Sequence, residues 1–302
     1  MRLVKQLRDE PRLRESFFDL AQRTFGIAFR GWYEEGWWGE RYVPYALTEG
    51  DEVLANASVN RMDFLRDGAP FSCIQIGTVM TDPAHRNRGL ARRLMEAILQ
   101  DYGARPIYLF ASDEAVGFYP KFGFRPVVES MMTLPWGRGK AGPQGAEGER
   151  GGERPPGQGN GRDRGHEPAR RLDWNRAADR ELFLALCRAG NPLSRLTLVD
   201  GAGLAAFYCR SELGSCLYFD EAAGLAAVAE FEGSRMILHD VFGGGRDLTA
   251  AVAAFARPDT ERVSLGFLPK EPLGAPSPFD NGLFLRGNWP EGPILFPLLS
   301  RA

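Results

Sequence analysis

The sequence predicts an α/β protein whose sheets mix parallel and antiparallel strands (α+β). Its two domains are joined by a flexible linker. Its 302 residues suit two domains at about 150 residues each. Segments with strand alternation and segments with helical spacing follow one another in both halves, which is typical of α/β folds. One stretch rich in glycine and proline interrupts this pattern. We therefore predict a first domain at 1–136, a linker at 137–169 and a smaller second domain at 170–302.

The composition of the chain argues against several classes of protein. Hydrophobic residues make up 44% and charged residues 25% of the chain, and the formal net charge is −2, so a basic nucleic-acid-binding protein is not indicated. No apolar run is long enough to span a membrane, and the first residues have no apolar signal core. Four cysteines without a C-x-x-C pair and only three histidines give no sign of a metal site or a disulfide framework. We expect a reduced, cytoplasmic protein.

The linker prediction depends on residues 137–168, which hold eleven glycines and four prolines among charged side chains. Such a stretch buries too little apolar surface to offset the entropy of ordering it. Its recurring arginines leave contact with RNA open as an alternative, but neighbouring glutamates and aspartates dilute their charge.

In the first half of the sequence, the predicted strands and helices follow one another in a mixed order. A strand at Leu3–Leu7 is followed by a helix that begins at a proline, Pro11–Phe25. The remaining predicted strands are Tyr42–Leu47, Val53–Phe64, Phe71–Met80 and Pro106–Ala111, and the remaining predicted helices are Gly89–Tyr102 and Asp113–Lys121.

The most informative segment runs from Val79 to Leu94, where a buried strand, a polar loop and a helix follow one another. The first turn of a helix leaves its N–H groups unpaired and directs the positive end of the peptide dipoles at a ligand. Gly89 allows a close approach of the backbone, and neighbouring arginines add cations. This arrangement predicts a pyrophosphate site, with an arginine-rich surface turn as the alternative.

Two motifs carry a resemblance to a known family. The R-x-x-G-x-A pattern at Arg86–Ala91 resembles the acyl-coenzyme A signature of the GNAT superfamily of N-acetyltransferases, whereas both the P-loop pattern and the dinucleotide fingerprint are missing. Downstream, Ser112–Phe124 resembles the later motif of that family. That motif is a helix with the pattern A-hydrophobic-x-hydrophobic-Y, followed by a G-F turn. The resemblance covers about Leu3 to Leu134.

The resemblance implies specific roles for these residues. Tyr119 would be the general acid that protonates the departing coenzyme A thiolate, although it could instead be a packing residue. The strand backbone would pair with the pantetheine amides and the loop N–H groups would hold the pyrophosphate. The implied coenzyme-binding residues are Val79, Thr81, Arg86, Asn87, Arg88, Gly89, Leu90, Ala91 and Ser112. The family often has Asn where Ser112 stands, which puts a side-chain contact there in doubt.

The implied chemistry is direct attack of an amine on acetyl-CoA in a ternary complex, with no covalent enzyme intermediate. Cys73 is therefore predicted to be a buried strand residue. The sequence does not identify the general base. Asp82 and Glu114 lie beside the motifs but are more typical of charged residues in loops or at helix ends, and a chain of water molecules could also accept the proton.

Acceptor recognition is predicted in an aromatic and acidic segment between Arg30 and Arg41. The candidate acceptor residues, which could hold a cationic amine, are Trp32, Tyr33, Glu34 and Trp37. The alternative, slightly favoured, is a helix that packs its aromatic side chains on the sheet and turns its glutamates to water.

The second half repeats the rhythm of strand, glycine turn, helix and strand, and is similar to a second, divergent GNAT-like domain. It lacks the R-x-x-G-x-A pattern, so we expect it to shape the acceptor pocket or support the fold without binding a second coenzyme. His239 and Asp240 could line a cleft but more simply are hydrogen-bonded in place. The apolar tail Pro293–Leu299 predicts a buried strand, which could bring the terminal carboxylate of Ala302 near a site.

The predicted function is an N-acetyltransferase that uses acetyl-CoA as co-substrate and needs no metal. Its acceptor would be a small-molecule or peptide amine, with no membrane partner and no nucleic acid. The alternative is a catalytically silent acyl-CoA-binding sensor or partner-binding protein.

Overall fold

The computed structural model describes residues 1–137, 169–245, 247–271 and 276–301. In its first half the helices are α1 (Pro11–Phe25), α2 (Phe29–Glu34) and α3 (Leu90–Tyr102). The strands of this half are β1 (Arg2–Lys5), β2 (Tyr42–Glu49), β3 (Glu52–Arg66), β4 (Ala69–Thr81), β5 (Ile107–Phe110), β6 (Arg125–Pro126) and β7 (Glu129–Pro135). Most of the predicted linker, residues 138–168, lies outside the described residues.

The second half contains helices α4 (Ala177–Ala189), α5 (Ala202–Cys209) and α6 (Leu248–Phe255). Its strands are β8 (Arg170–Arg171), β9 (Leu196–Leu198), β10 (Leu217–Asp220), β11 (Leu225–Glu232), β12 (Arg235–Gly243), β13 (Arg262–Leu265), β14 (Ser277–Phe279) and β15 (Leu283–Arg286). The mixed α/β class predicted from the sequence is confirmed.

Two sheets organise the molecule, and they exchange strands. The first sheet has the order β1-β2-β3-β4-β5-β15-β6, with β9 paired to β3, and the second has the order β14-β7-β13-β12-β11-β10-β8. Thus β7 of the first half lies in the second sheet, and β15 of the second half lies in the first sheet. Domain boundaries at 136 and 170 stay a prediction. They divide the sequence into two segments, but each sheet contains strands from both segments.

Helices cover both faces of the first sheet. Leu90, Leu94 and Ile98 of α3 pack on one face. On the other face, Leu13 and Phe17 of α1 belong to one continuous core that extends to α4 and α5 of the second half. The two halves are therefore joined by a shared hydrophobic core as well as by exchanged strands.

The first sheet opens between its central strands. β4 and β5 are parallel and paired only at Ile74–Ile107 and Gln75–Tyr108, and β5 then continues against β15. Beyond Gln75, the carboxyl end of β4 diverges from β5. This split is where ligands bind in open α/β sheets, because it leaves backbone groups and loops facing a crevice.

Two predicted elements are wrong. The helix expected at Asp113–Lys121 is replaced by two short 3-10 helices, Asp113–Ala115 and Tyr119–Phe122. Pro120 lacks an N–H and its ring clashes with the preceding turn, so an α-helix cannot continue through it. The tail strand expected at Pro293–Leu299 is irregular and ends in a 3-10 helix, Leu298–Ser300, although Leu295 and Phe296 are buried as expected. Ala302 lies outside the described residues.

No helix in the described ranges is long and apolar enough to cross a membrane. All four cysteines are free and buried.

Candidate active site

A groove of about 900 Å³ lies at the N-terminus of α3. Its walls come from the end of β4, the loop into α3 and the segment after β5. Of the predicted coenzyme residues, the groove is lined by Val79, Thr81, Arg86, Asn87, Gly89, Leu90, Ala91 and Ser112. The structure therefore brings these residues together around one groove, as the two motifs predict. Arg88 is not among the lining residues, although its guanidinium contacts His85, which lines the groove, at 2.6 Å.

The backbone conformation of Gly89 keeps the N-terminus of α3 open. Gly89 has φ +72°, in the left-handed region where other residues are strained, and no side chain caps the first turn of the helix. Asn87 is also left-handed, with φ +61°. The first N–H groups of α3 are consequently left without a protein cap at the groove, which is the arrangement that binds phosphate.

Charges in the groove are mixed. Arg86, Arg92 and Lys121 line it together with Asp113 and Glu114, so cations exceed carboxylates by one. Asp82, a candidate base, instead accepts a hydrogen bond from the N–H of Ala84 at 2.9 Å and pairs with Arg23 at 2.9 Å. These contacts give Asp82 a structural role in shaping the loop.

A β-bulge in β4 sets the position of Val79. Asn56 of β3 lies opposite Met80 and Ser58 lies opposite Gly77, so Thr78 and Val79 together oppose Ala57 alone. Thr78 has φ +51°, and its carbonyl oxygen accepts a hydrogen bond from Nδ2 of the buried Asn56 at 3.0 Å. This bond holds the bulge and turns the end of β4 away from β5.

A second cavity of about 640 Å³, here called the inner cavity, adjoins the groove. Phe25, Val79 and Ser112 line both spaces, so they meet at the split between β4 and β5. The inner cavity also has walls from α2, from α5 and from Arg301 near the chain end. It is thus built from both halves of the chain.

Tyr119 lines the inner cavity from the second motif. Its side chain is buried, and its ring lies 5.8 Å from that of Phe284 in β15. Burial raises the pKa of Tyr119 to about 12, so the phenol stays protonated at neutral pH. As a protonated phenol, Tyr119 can donate a proton to a group bound in the inner cavity.

The predicted acceptor residues separate in the structure. Trp32 is buried and lines the inner cavity, and its Nε1 donates a hydrogen bond to the carbonyl oxygen of Gly203 at 2.7 Å. Trp37 lines a neighbouring pocket of about 410 Å³. Tyr33 and Glu34 are not among the residues that line either space, and Tyr33 packs under the guanidinium of Arg14 at 4.2 Å. The packing alternative thus describes Tyr33, and exposure to water describes Glu34.

A buried ion pair supports the wall beside Phe110. Nη2 of Arg301 lies 3.2 Å from Oε2 of Glu129, whose side chain is fully buried. Burial raises the pKa of Glu129 and lowers the pKa of Arg301, and each charge partly opposes the shift of the other. Arg301 also donates to the carbonyl oxygen of Phe296 at 2.9 Å.

The second half has a related but closed arrangement. β12 carries a bulge at His239, and Leu248 at the start of α6 lines a pocket with Pro269 and Lys270. In contrast to Gly89, Asp247 caps its helix, with its carboxylate accepting from the N–H of Ala250 at 3.1 Å. The helix N-terminus that would receive a phosphate is therefore already paired with an anion of the chain itself.

Asp240 and His239 are held by hydrogen bonds, as the simpler interpretation predicts. Oδ1 of Asp240 accepts from Nδ2 of Asn191 at 2.6 Å, and Nε2 of His239 lies 3.0 Å from Oε2 of Glu230. Complete burial raises the pKa of Asp240 to about 7. Burial also raises the pKa of the Cys73 thiol, which agrees with the predicted packing role. Across the described ranges, no three His, Cys, Asp or Glu residues form a group that could hold a metal ion.

Sequence reasoning missed the contribution of α5. Leu204, Phe207 and Tyr208 of this helix line the inner cavity, and so does the adjoining Glu212. The sequence of α5 is apolar all round, a pattern typical of a helix buried between layers. That pattern was the available signal, but it does not identify the cavity that the helix lines.

Comparison with known proteins agrees with this architecture. Residues 11–127 match the sequence profile of a family described as "Acetyltransferase (GNAT) domain". A search of curated protein sequences gives no match. Similar solved structures include a probable N-acyltransferase from Enterococcus faecalis, with 13% identity, a TM-score of 0.54, and coverage of 94% of this chain and 72% of that chain.

Two further structures are similar over nearly the whole chain. A GCN5-related N-acetyltransferase from Kribbella flavida has 17% identity and a TM-score of 0.52, covering 94% of this chain and 71% of its own. The Eis1 protein from Mycobacterium abscessus has 16% identity and a TM-score of 0.57, covering 95% of this chain and 73% of its own. At these identities the likeness establishes a shared fold, and it extends over both halves.

The family match assigns residues 11–127 to a GNAT acetyltransferase domain, and this match supports acyl transfer as the class of activity. The second half lies outside this match, and it shares the fold of the similar structures, which cover nearly the whole chain.

Proposed function

We propose that this chain transfers an acetyl group from acetyl-CoA to a primary amine by direct attack in a ternary complex. The observation that carries this proposal is the junction of the groove with the inner cavity at Val79 and Ser112, with Tyr119 beside it. A donor in the groove and an acceptor in the inner cavity would meet at the split between β4 and β5. Holding both reactants in one geometry removes much of the entropic barrier to the reaction.

The groove fits coenzyme A. The uncapped N-terminus of α3, which Gly89 holds open, would receive the pyrophosphate, with Arg86 and Arg92 adding positive charge. The end of β4 from Val79 to Thr81, which is not paired on the side that faces β5, would hydrogen-bond the pantetheine amides as an added strand does. Arg88 would contribute its backbone N–H, since its side chain contacts His85.

Tyr119 would act as the general acid. Its pKa of about 12 keeps the phenol protonated until negative charge develops on the leaving sulfur. A coenzyme A thiolate, whose conjugate acid has a pKa near 8.5, would accept this proton as the thioester breaks. The amine attacks in its neutral form, and the proton that its nitrogen loses as the amide forms would return to the Tyr119 phenolate, so the phenol is restored at the end of the reaction. Neither Cys73 nor any acyl-enzyme intermediate takes part.

The test is the Tyr119→Phe variant, with Tyr208→Phe as the matched control. Both phenols line the inner cavity, and both variants lose one hydroxyl. We expect Tyr119→Phe to lower kcat at least about 100-fold with an unchanged Kd for acetyl-CoA, because general acid catalysis contributes about 10²–10⁴-fold. Tyr208→Phe should lower kcat less than threefold. An equal effect of the two variants would refute the assigned role of Tyr119.

A sensor that binds acyl-CoA without turnover is the second candidate. It would bind acetyl-CoA in the same groove but release no coenzyme A with any amine. An assay of free thiol across a broad amine panel therefore separates the two functions, since only the enzyme produces thiol in an amine-dependent way.

A further inference from the structure

We propose that the acceptor is a monoamine with an aromatic body, in preference to a polyamine or a polyhydroxylated amino sugar. This inference rests on the proposed function and assigns the chemical class of its acceptor. It comes from the walls of the inner cavity, from their charges and from how firmly those walls are held.

Besides Phe25 and Tyr119, six aromatic side chains line the inner cavity. They belong to Phe29, Trp32, Tyr42, Phe110, Phe207 and Tyr208. The rings of Phe207 and Phe29 lie 5.4 Å apart, and those of Phe207 and Trp32 lie 6.0 Å apart at 82°. Such rings bind another aromatic group by offset or edge contacts, and they offer few hydrogen bonds to sugar hydroxyls.

The walls are also positioned before any acceptor binds. Trp32 is fixed by its hydrogen bond to Gly203 in α5, and the hydroxyl of Tyr42 accepts a hydrogen bond from the Ser58 hydroxyl at 2.9 Å. These contacts cross between the halves or between strands. Because the aromatic walls of the inner cavity are already held in place, little side-chain conformational entropy is lost when a flat, rigid acceptor binds.

The charges of the inner cavity suit a single ammonium group. Among the described residues that line it, Glu212 is the one carboxylate, whereas Arg210 and Arg301 are cations. Arg301 is paired with Glu129, and Arg210 is paired with Glu35. One carboxylate and several π-faces can attract one ammonium as it arrives, but the second and third ammonium groups of a polyamine would find no further carboxylate among the described lining residues.

The same apolar walls could instead take a long acyl chain of the coenzyme. The lining favours the amine, because the carboxylate of Glu212 suits an ammonium group rather than a hydrocarbon chain. Longer acyl-CoA donors are therefore included in the test.

The experiment measures acetyl transfer to phenethylamine, tryptamine, spermidine and kanamycin, and separately their binding to the coenzyme A-loaded protein by calorimetry. We expect kcat/KM for the two aromatic amines to exceed that for spermidine and kanamycin at least about tenfold, with the same order in Kd. A preference for spermidine or kanamycin, or a tenfold higher rate with hexanoyl-CoA than with acetyl-CoA, would overturn the inference. Selective binding of aromatic amines without transfer would refute the proposed function while supporting this acceptor class.

Variants at Ser211 give an internal control. Ser211 is exposed and lines the inner cavity next to Glu212. Ser211→Asp adds a second carboxylate, and Ser211→Asn adds the same size without the charge. We expect the ratio of kcat/KM for spermidine to kcat/KM for phenethylamine to be at least about threefold higher in Ser211→Asp than in Ser211→Asn. No difference between these variants would contradict the charge argument.

Discussion

Arg301 and Glu129 form an ion pair across the two segments of the chain, with Nη2 of Arg301 3.2 Å from Oε2 of Glu129. Glu129 begins β7, the strand that the first segment contributes to the second sheet. Arg301 lines the inner cavity. The pair therefore connects the exchanged strand β7 to a residue that lines the proposed acceptor site.

Removing one partner of this pair should be costly. Glu129→Gln leaves the guanidinium of Arg301 buried without its counter-charge, and breaking a buried pair typically costs about 3–5 kcal/mol. We expect urea denaturation to show a loss of about 3 kcal/mol in the free energy of unfolding. The double variant Glu129→Gln with Arg301→Gln should recover at least a third of that loss. If the losses of the two single variants simply add in the double variant, the pair is not coupled.

The exchanged strands predict that the two segments fold only together. Fragment 1–137 lacks β15, which covers the edge of β5, and its own β7 lacks the partners β13 and β14. Produced alone, each of the fragments 1–137 and 169–302 should lack a cooperative thermal transition by circular dichroism. Produced together, they should co-purify and recover such a transition. Cooperative folding of fragment 1–137 alone would show that β15 is dispensable.

Gly89 offers a matched test of the helix N-terminus. Gly89 and Gly50 both have positive φ, +72° and +58°, and a Cβ at either would meet open space. Alanine at each position should therefore cost similar stability, about 1–2 kcal/mol, because left-handed backbone is strained for it. Calorimetry should give an acetyl-CoA Kd at least about tenfold weaker for Gly89→Ala and within twofold of the unmodified chain for Gly50→Ala. Equal Kd values for the two variants would exclude a role for the α3 N-terminus.

Asp240 predicts a pH dependence of stability. Its folded pKa of about 7 lies above the ordinary value of 3.8, so the folded chain holds this proton more tightly than the unfolded chain. Its contribution is thus favourable at low pH and is lost as pH rises from about 4 to about 7, by an amount on the order of 4 kcal/mol. Asp240→Asn keeps an acceptor for Asn191 and removes the charge.

The unfolding free energy of Asp240→Asn should fall less steeply between pH 4.5 and 7 than that of the unmodified chain, and should be higher at pH 8. Glu129, whose pKa is also raised, leaves a smaller slope of the same sign in both proteins. An unchanged slope in Asp240→Asn would mean that Asp240 does not titrate in this range.

Local signals in the sequence predicted the local elements well. Helix α1 has the predicted bounds, because Pro11 suits a first helical turn and the left-handed Gly26 ends the helix. The groove at the N-terminus of α3 was predictable for the same reason, since most of the residues proposed to hold the coenzyme lie in two contiguous motifs. The helix expected at Asp113–Lys121 is wrong because it ran through Pro120, which the interior of an α-helix does not accommodate.

Long-range relationships were beyond the sequence. β7 and β15 are short apolar segments, and nothing local specifies which sheet each one joins. For the same reason Phe207 and Arg301 could not be assigned to the inner cavity, because they reach it through packing between the halves. Tyr33 and Glu34 were candidates through neighbourhood in sequence, but the turn of α2 directs Trp32 alone of these three to the cavity.

The most direct test of this account is an isothermal titration of the whole chain with acetyl-CoA. Because Gly89 leaves the N-terminus of α3 open whereas Asp247 caps that of α6, we predict one site per chain with a Kd in the micromolar range. Two sites per chain would contradict the closed state of the second half. No binding would contradict the central claim that the groove at α3 receives the coenzyme.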